Sequence, residues 1–289
     1  MLFGMQWPRR RHCGALISNM KFISTLFSTA AMLTMANAQT LSLKGSDTLG
    51  AKLVPQLAEG FKAAGNTSVK FEIAAEGSTT AFPALANGTA QLGMSSRKVK
   101  DEEITFCRTK GVYLKEHHIC YDMICVIVNK NSPISKLTKA QVAKIFTGQV
   151  KDWSEIGGSP GKISIYTRNT SSGTYKDWQH LAMGGRDYPS SSLKMAGNEQ
   201  IAQEVAKNPS GIGYVGLAYS KTSGTKALAI DAVEPVAKNA QKYAYSRSCF
   251  LYAPDKPTAE AAAFMAYIDS PAGQDIVRGV GFIPVKDLK

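Results

Sequence analysis

The chain has 289 residues, of which 44% are hydrophobic and 19% charged, and its formal net charge is +12. This length and composition exclude a disordered chain and predict two lobes or domains with a full core. The basic residues are scattered, without a stripe of arginine and lysine interleaved with aromatics, so no nucleic-acid partner is predicted.

Residues 1–38 are predicted to be a Sec-type signal peptide with its natural start at Met20. An apolar run over residues 22–35 ends in the small-x-small pattern Ala36-Asn37-Ala38, which is typical of a cleavage site. The run is shorter than the roughly 20 apolar residues of a membrane span. A twin-arginine signal over residues 9–17 is disfavoured, because the apolar run does not follow it directly. Cleavage would lower the net charge from +12 to +8 and place the protein in the periplasm.

The rest of the chain alternates strand-like and helix-like segments. The predicted elements are strand 41–43, helix 51–64, strand 69–73, a helix ending near 86, strand 92–95, a helix from about 101, strand 122–129, helix 139–146, strand 162–166, helix 175–183, a helix around 204–206, strands 211–215, 227–230 and 249–253, and helices over 259–280. This alternation predicts an α/β fold, with a mostly parallel sheet and helices on both faces.

Four loops carry Ser, Thr or Gly after a predicted strand and before a helix, around Thr48, Ser78, Ser96 and Ser172. In open α/β sheets, ligands bind at this edge. The fourth loop also contains Arg168, and the unpaired N–H groups and dipole of the helix that follows favour an anion. One such loop alone is better read as an ordinary capped helix. Four of them predict a convergent pocket for a tetrahedral or similar oxyanion.

Beyond residue 38 the sequence contains Cys107, Cys120, Cys125 and Cys249. An even number of cysteines in an oxidising compartment predicts two disulfides. The pairing we expect is Cys107 with Cys120 and Cys125 with Cys249, although the sequence leaves other pairings open. No C-x-x-C pair occurs and the nearby histidines are only His117-His118, so neither a metal site nor another cofactor is predicted.

Six segments resemble, in order and spacing, the landmarks of the periplasmic phosphate-binding proteins that serve ATP-driven phosphate importers. They are residues 45–49, 76–79, 92–97, 145–158, 212–214 and 270–274. The resemblance runs over nearly all of residues 40–289. It implies the two-lobed clamshell of type II periplasmic solute-binding proteins, with each lobe a mostly parallel sheet flanked by helices. Its first lobe would comprise residues 39–124 and 247–289, and its second lobe residues 125–246.

The resemblance also implies that hydroxyls, backbone N–H groups and one arginine hold phosphate. The matching positions are Thr48, Leu49, Ser78, Ser96, Arg168, Ser172, Gly173 and Thr174. The family usually has an aspartate at the position of Ser96, where it accepts the proton of phosphate. Without that carboxylate, a site made only of donors would hold sulfate comparably. Two hypotheses address this departure: Asp47 supplies the acceptor, or Arg97 adds positive charge for a dianion.

The sequence is therefore interpreted as a monomeric periplasmic protein that binds phosphate and delivers it to an ABC permease, without catalysis. The alternatives are a carrier of another oxyanion such as sulfate, and a phosphate-sensing or adhesion protein with the same fold. Residues 95–98 fit the S-x-x-K motif of penicillin-recognising hydrolases, and residues 221–224 resemble their K-T-G element. The third element of that enzyme class, a Ser or Tyr two residues before an Asn, is missing between residues 98 and 221.

Overall fold

The structure is a computed structural model that describes residues 39–288. The predicted signal peptide, its cleavage site and the start at Met20 lie outside these residues. In the described range, no helix combines the length and the apolar character that crossing a membrane requires.

Within residues 39–288 the chain forms strands and helices in alternation, as predicted. The strands are β1 Thr40–Gly45, β2 Lys70–Ala74, β3 Leu92–Ser95, β4 Leu114–Asn129, β5 Lys136–Leu137, β6 Ser164–Arg168, β7 Leu193–Met195, β8 Gly211–Gly216, β9 Thr225–Ala227, β10 Ala229–Ile230, β11 Ser246–Pro254 and β12 Ile283–Pro284. The α-helices are α1 Asp47–Gly50, α2 Leu53–Ala63, α3 Ser78–Ala86, α4 Asp101–Thr109, α5 Lys139–Phe146, α6 Gly173–Leu181, α7 Asn198–Lys207, α8 Ala259–Asp269 and α9 Pro271–Val280.

Two long antiparallel strands occupy the centre of the sheet, whose order is β2-β1-β3-β11-β4-β8-β6-β7. The outer strands pair in parallel, β1 with β2 and β3, and β6 with β7 and β8. β4 pairs antiparallel with β11 over residues 114–123, and with β8 and β9 over residues 124–129. We call the half with β1–β3 the first lobe and the half with β6–β8 the second lobe. β4 therefore connects the lobes, and β11 lies beside its first-lobe part.

Both lobes bury their sheet under helices on each face. Successive residues of a strand point to opposite faces. On β11, Leu251 packs with residues of α2, α8 and α9, and Tyr252 packs with residues of α3 and α4. On β4, Val126 packs with residues of α5 and α6, and Ile127 packs with residues of α7. This arrangement is the predicted α/β fold, and it leaves the strand ends and the helix starts to form a site.

The predicted disulfides are wrong, because Cys107, Cys120, Cys125 and Cys249 are all buried free thiols. Cys249 on β11 is the register partner of Cys120 on β4, and not of Cys125. Cys107 on α4 donates to the carbonyl oxygen of Phe82, at 3.5 Å. Burial raises the thiol pKa of Cys107, Cys120 and Cys125 above the ordinary value. Strand register decides which cysteines face each other, and the order of cysteines along the chain does not contain that information.

Candidate functional site

Hydroxyl groups from the four predicted loops meet in pairs at the ends of the parallel strands. The Oγ1 atoms of Thr48 and Thr174 are 3.0 Å apart, although the two residues are 126 positions apart in the chain. The Oγ atoms of Ser78 and Ser96 are 3.2 Å apart, and the backbone N–H of Ser96 also donates to Ser78 Oγ. All four side chains are buried. The structure thus brings together residues that the sequence analysis singled out separately.

The start of α6 is built to present donors. The helix begins at Gly173, two residues before the predicted start, because Ser172 caps it by accepting from the N–H of Tyr175 at 3.3 Å. Because the Ser172 oxygen accepts this hydrogen bond, its hydroxyl hydrogen remains available to another acceptor. A Cβ on Gly173 would lie 2.3 Å from Ser78 Oγ and 2.9 Å from Ser96 Oγ. The close approach of the α6 start to these hydroxyls therefore requires glycine.

The loop before α6 also contacts the start of α3 directly. Thr79 donates its N–H to the carbonyl oxygen of Ser171 at 3.2 Å, and the Ser171 hydroxyl donates to the carbonyl oxygen of Glu76 at 3.0 Å. Gly77, between them, has φ +138°, and a Cβ there would lie 2.5 Å from Ser171 O. This contact joins a loop of the first lobe to a loop of the second.

Arg168, the last residue of β6, is a buried cation with one nitrogen that makes no hydrogen bond. Its side chain is 1% exposed, and its Nε and Nη2 donate to the carbonyl oxygen of Ala196 at 3.2 and 2.8 Å. Nη1 lies 3.0 Å from Asp47 Oδ2, which is an ion-pair distance, but it has no hydrogen-bond partner among the described residues. Burial lowers the pKa of Arg168, whereas Asp47 opposes that shift. A buried guanidinium whose terminal nitrogen makes no hydrogen bond within the protein is suited to an oxyanion.

Asp47 is the counterion of Arg168. Besides its contact with Arg168, its Oδ2 accepts from the backbone N–H of Asn198 at 3.0 Å and from Asn198 Nδ2 at 2.6 Å. One oxygen of this carboxylate is thus occupied by three groups of the second lobe. Leu49, two residues further on, is fully buried in the first-lobe core, with its backbone N–H in the first turn of α1.

Arg97 forms an ion pair with a carboxylate of its own lobe. Its Nη1 and Nη2 donate to the two carboxylate oxygens of Glu103 at 2.8 and 2.6 Å, and its guanidinium lies 5.6 Å from the centre of the Phe82 ring. The positive charge that the sequence analysis considered for a dianion is therefore compensated by Glu103. A role of Arg97 toward the anion stays a prediction.

A third buried arginine, Arg247 on β11, was not among the predicted site residues. Its Nε and Nη2 donate to Asp122 Oδ2 on β4 at 3.1 and 2.8 Å, and its Nη1 donates to Asp177 Oδ2 on α6 at 3.1 Å. Burial alone lowers the pKa of Arg247, but Asp122 and Asp177 outweigh it and the net pKa is raised. Burial is also the main reason why the pKa of Asp177 is raised. The only signal in the sequence was a charged residue next to an apolar segment, Cys249-Phe-Leu-Tyr-Ala253, that was predicted as a strand.

The residues of the hydrolase motif have separate environments. Ser95 is fully buried and donates its hydroxyl to the carbonyl oxygen of Arg97 at 2.7 Å. The Lys98 side chain is 78% exposed and pairs with Glu116. The two therefore do not form a nucleophile and base pair. In residues 39–288 no group of three His, Cys, Asp or Glu side chains could hold a metal ion.

A sheet of this topology with anion-suited helix starts is typical of a solute-binding fold, and the comparisons with known proteins agree. The chain belongs to the PBP superfamily, whose domain model matches residues 34–272. It is 35% identical over 270 residues to the phosphate-binding protein PstS of Pseudomonas aeruginosa, covering 85% of this chain and 83% of that protein. It is 30% identical over 256 residues to PstS of Bacillus subtilis, covering 86% of this chain and 82% of that protein.

Solved structures share the fold. A substrate-binding protein from Clostridium perfringens, described as a putative phosphate ABC transporter component with bound phosphate, superimposes with a TM-score of 0.79 at 31% identity, over 86% of this chain and 100% of that one. An ABC-type phosphate transport receptor from Vibrio cholerae superimposes with a TM-score of 0.69 at 23% identity, over 84% of this chain and 99% of that one. The predicted two-lobed periplasmic-binding fold is thereby confirmed.

Proposed function

We propose that this chain captures inorganic phosphate outside the cytoplasm and delivers it to an ABC-type membrane permease, without chemistry on the anion. The observation that carries the proposal is Arg168, a buried guanidinium beside the hydroxyl-rich start of α6, whose Nη1 is ion-paired with Asp47 and makes no hydrogen bond among the described residues. The names of the PstS relatives and the phosphate-bound Clostridium structure support phosphate among the oxyanions.

The anion is assigned to donors from both lobes. From the first lobe they are the hydroxyls of Thr48, Ser78 and Ser96 and the N–H of Leu49, and from the second lobe Arg168, the hydroxyls of Ser172 and Thr174 and the N–H of Gly173. Bridging by a ligand favours the conformation in which both sets face it, because only there are all the donors satisfied. We place the hinge where the partners of β4 change, between Met123 and Ile124, and where β11 returns at Ser246. These positions lie close to the predicted lobe boundaries at 124/125 and 246/247.

The carboxylates near the site are all engaged with basic or amide groups. Asp47 holds Arg168 and Asn198, and Asp122 holds Arg247. A site with donors alone suits an oxyanion without a proton, so phosphate should bind more tightly in slightly basic than in slightly acidic buffer. Equal affinity in the two buffers would instead point to a proton acceptor, for which Asp47 is the candidate.

The experiment that tests the proposal is isothermal titration of the exported, processed chain with phosphate, arsenate and sulfate in a buffer free of these anions. Micromolar or tighter phosphate binding supports the assignment, and exclusion of sulfate would separate a phosphate carrier from a general oxyanion carrier. A sulfate affinity above that for phosphate would overturn phosphate as the ligand, and no binding of any anion would overturn the function. Sedimentation of the same sample tests the expected monomer.

A further inference from the structure

Arg247 connects three structural elements through one side chain that is 5% exposed. It lies opposite Asp122 in the register of the two central strands. From there it reaches Asp177 on α6 and, through Nη2, the hydroxyl oxygen of Thr48 on α1 at 3.3 Å. The two aspartates neutralise the guanidinium and fix its plane, because they bind it from β4 and from α6.

The hydrogen bonds that Thr48 Oγ1 accepts restrict the direction of its own hydroxyl hydrogen. A hydroxyl carries one hydrogen to donate and two lone pairs that accept. Arg247 Nη2 donates to Thr48 Oγ1 at 3.3 Å, and Asn198 Nδ2 donates to the same oxygen at 3.4 Å. Neither of these nitrogens can accept, since guanidinium and amide N–H groups only donate. The remaining hydrogen of Thr48 must therefore point to an acceptor elsewhere.

We infer that Arg247 is a positioning residue for the anion: together with Asn198 it makes Thr48 an obligate donor and directs the Thr48 hydroxyl hydrogen into the site. Thr174 Oγ1, 3.0 Å away, is the protein acceptor in that direction, and an oxyanion is a stronger one. The inference rests on the proposed function and concerns the orientation of Thr48, one of the residues assigned to the anion. It also explains why an arginine without a free terminal nitrogen lies beside the site: it acts through Thr48 and not on the anion.

The helix that carries Ser172, Gly173 and Thr174 is fixed by the same residue. Asp177 is in α6, four residues after Gly173, and residues spaced by four share a face of a helix. Its ion pair with Arg247 ties this face of α6 to the central strand β11. Arg247 thereby sets the positions of two groups of anion donors, one from each lobe.

A double-mutant cycle on phosphate affinity tests the inference, with Arg247→Lys, Thr48→Val and the double variant measured by titration. Lysine keeps the positive charge and loses the planar fork that spans Asp122, Asp177 and Thr48. Arg247→Lys should weaken phosphate binding about tenfold in the wild-type background, the effect of one hydrogen bond. In the Thr48→Val background, where no hydroxyl is left to orient, its cost should be several-fold smaller, and the remainder should reflect its ion pair with α6.

A merely structural role of Arg247 would lower affinity by the same factor in both backgrounds, and additive effects would overturn the inference. Arg278→Lys is the matched control, because Arg278 also binds two aspartates but is 53% exposed on α9. If Arg247→Lys does not fold, as judged by its melting curve, Asp177→Asn replaces it in the same cycle with the same expected non-additivity. Wild-type protein that binds no phosphate would refute the proposed function, whereas binding with additive effects would refute only the role of Arg247.

Discussion

Three buried arginines lie around the site, and they differ in what their terminal nitrogens contact. Arg97 donates both of them to Glu103, and Arg247 donates one to Asp122 and one to Asp177. Arg168 donates Nη2 to a carbonyl oxygen and leaves Nη1 without a hydrogen bond among the described residues. Arg97 Nε also makes no hydrogen bond among the described residues, but Arg168 is the arginine in the segment that leads into the α6 start, so it is assigned to the anion.

The replacement Arg168→Lys should weaken phosphate binding roughly 100-fold, because it removes a charge-assisted donor that a lysine cannot replace in the same geometry. Titration of the variant against the wild type measures the change. The control is Arg278→Lys, which leaves the site intact and should keep the wild-type affinity. A loss below that of Ser172→Ala would contradict the assignment of Arg168 as the main charge partner.

The glycine at the start of α6 offers a steric test. Gly173→Ala places a methyl group 2.3 Å from Ser78 Oγ, so the two lobes should no longer approach as closely, and phosphate affinity should fall by at least about tenfold. Gly279→Ala is the control, because Gly279 lies within α9 and the methyl group that alanine adds would meet no atom of another element within 4 Å. It should leave affinity unchanged and raise the free energy of unfolding by up to about 1 kcal/mol. Equal affinities for the two variants would show that this contact does not matter for binding.

The residues of the site that could be predicted share a local signal. Ser172, Gly173 and Thr174 form a helix start directly after a strand, and Arg168 lies in the same short segment. Arg247 and Asn198 could not be found in this way, because their partners at Thr48 are 199 and 150 positions away in the chain. An arginine in a strand and an asparagine at a helix start are ordinary residues until the fold brings Thr48 beside them.

Among the secondary-structure elements, β4 departs most from its prediction. It begins at Leu114, whereas the apolar pattern predicted a strand only from residue 122. Its early residues, such as Lys115 and Glu116, are exposed, so this part lacks the continuous apolar run of a strand that is buried on both faces. Partner strands β11 and β12 hold it in place instead.

The thiols of β4, β11 and α4 give a prediction for these elements. In the folded, processed chain, an alkylating reagent near neutral pH should modify none of Cys107, Cys120, Cys125 and Cys249, because all are buried. The raised pKa of Cys107, Cys120 and Cys125 further lowers the fraction of reactive thiolate at that pH. In denaturant without reductant, mass spectrometry should find four adducts. Two adducts would reveal a disulfide, and the register would assign it to Cys120 with Cys249.

In the whole molecule, the long strand β4 belongs to both lobes. Asp122 on β4 illustrates the connection, since it binds Arg247 on β11 and accepts from the N–H of Leu217, which follows β8, at 3.0 Å. The two-lobed architecture was predictable from alternating elements and from the family resemblance. The contacts that a charged residue of a central strand makes with both lobes could not be predicted, because strand pairing is a property of the folded sheet.

A ligand that bridges both lobes should stabilise them as one unit. At a phosphate concentration of 100 times the dissociation constant, mass action adds about 2.7 kcal/mol to the free energy of unfolding. For a chain of this length that corresponds to a rise of roughly 5–10 °C in melting temperature. Differential scanning calorimetry with increasing phosphate should show one transition that moves upward as a whole, since β4 pairs with strands of both lobes. Arg168→Lys should show a much smaller shift at the same concentration, and two transitions of which only one moves would mean that the anion is held by a single lobe.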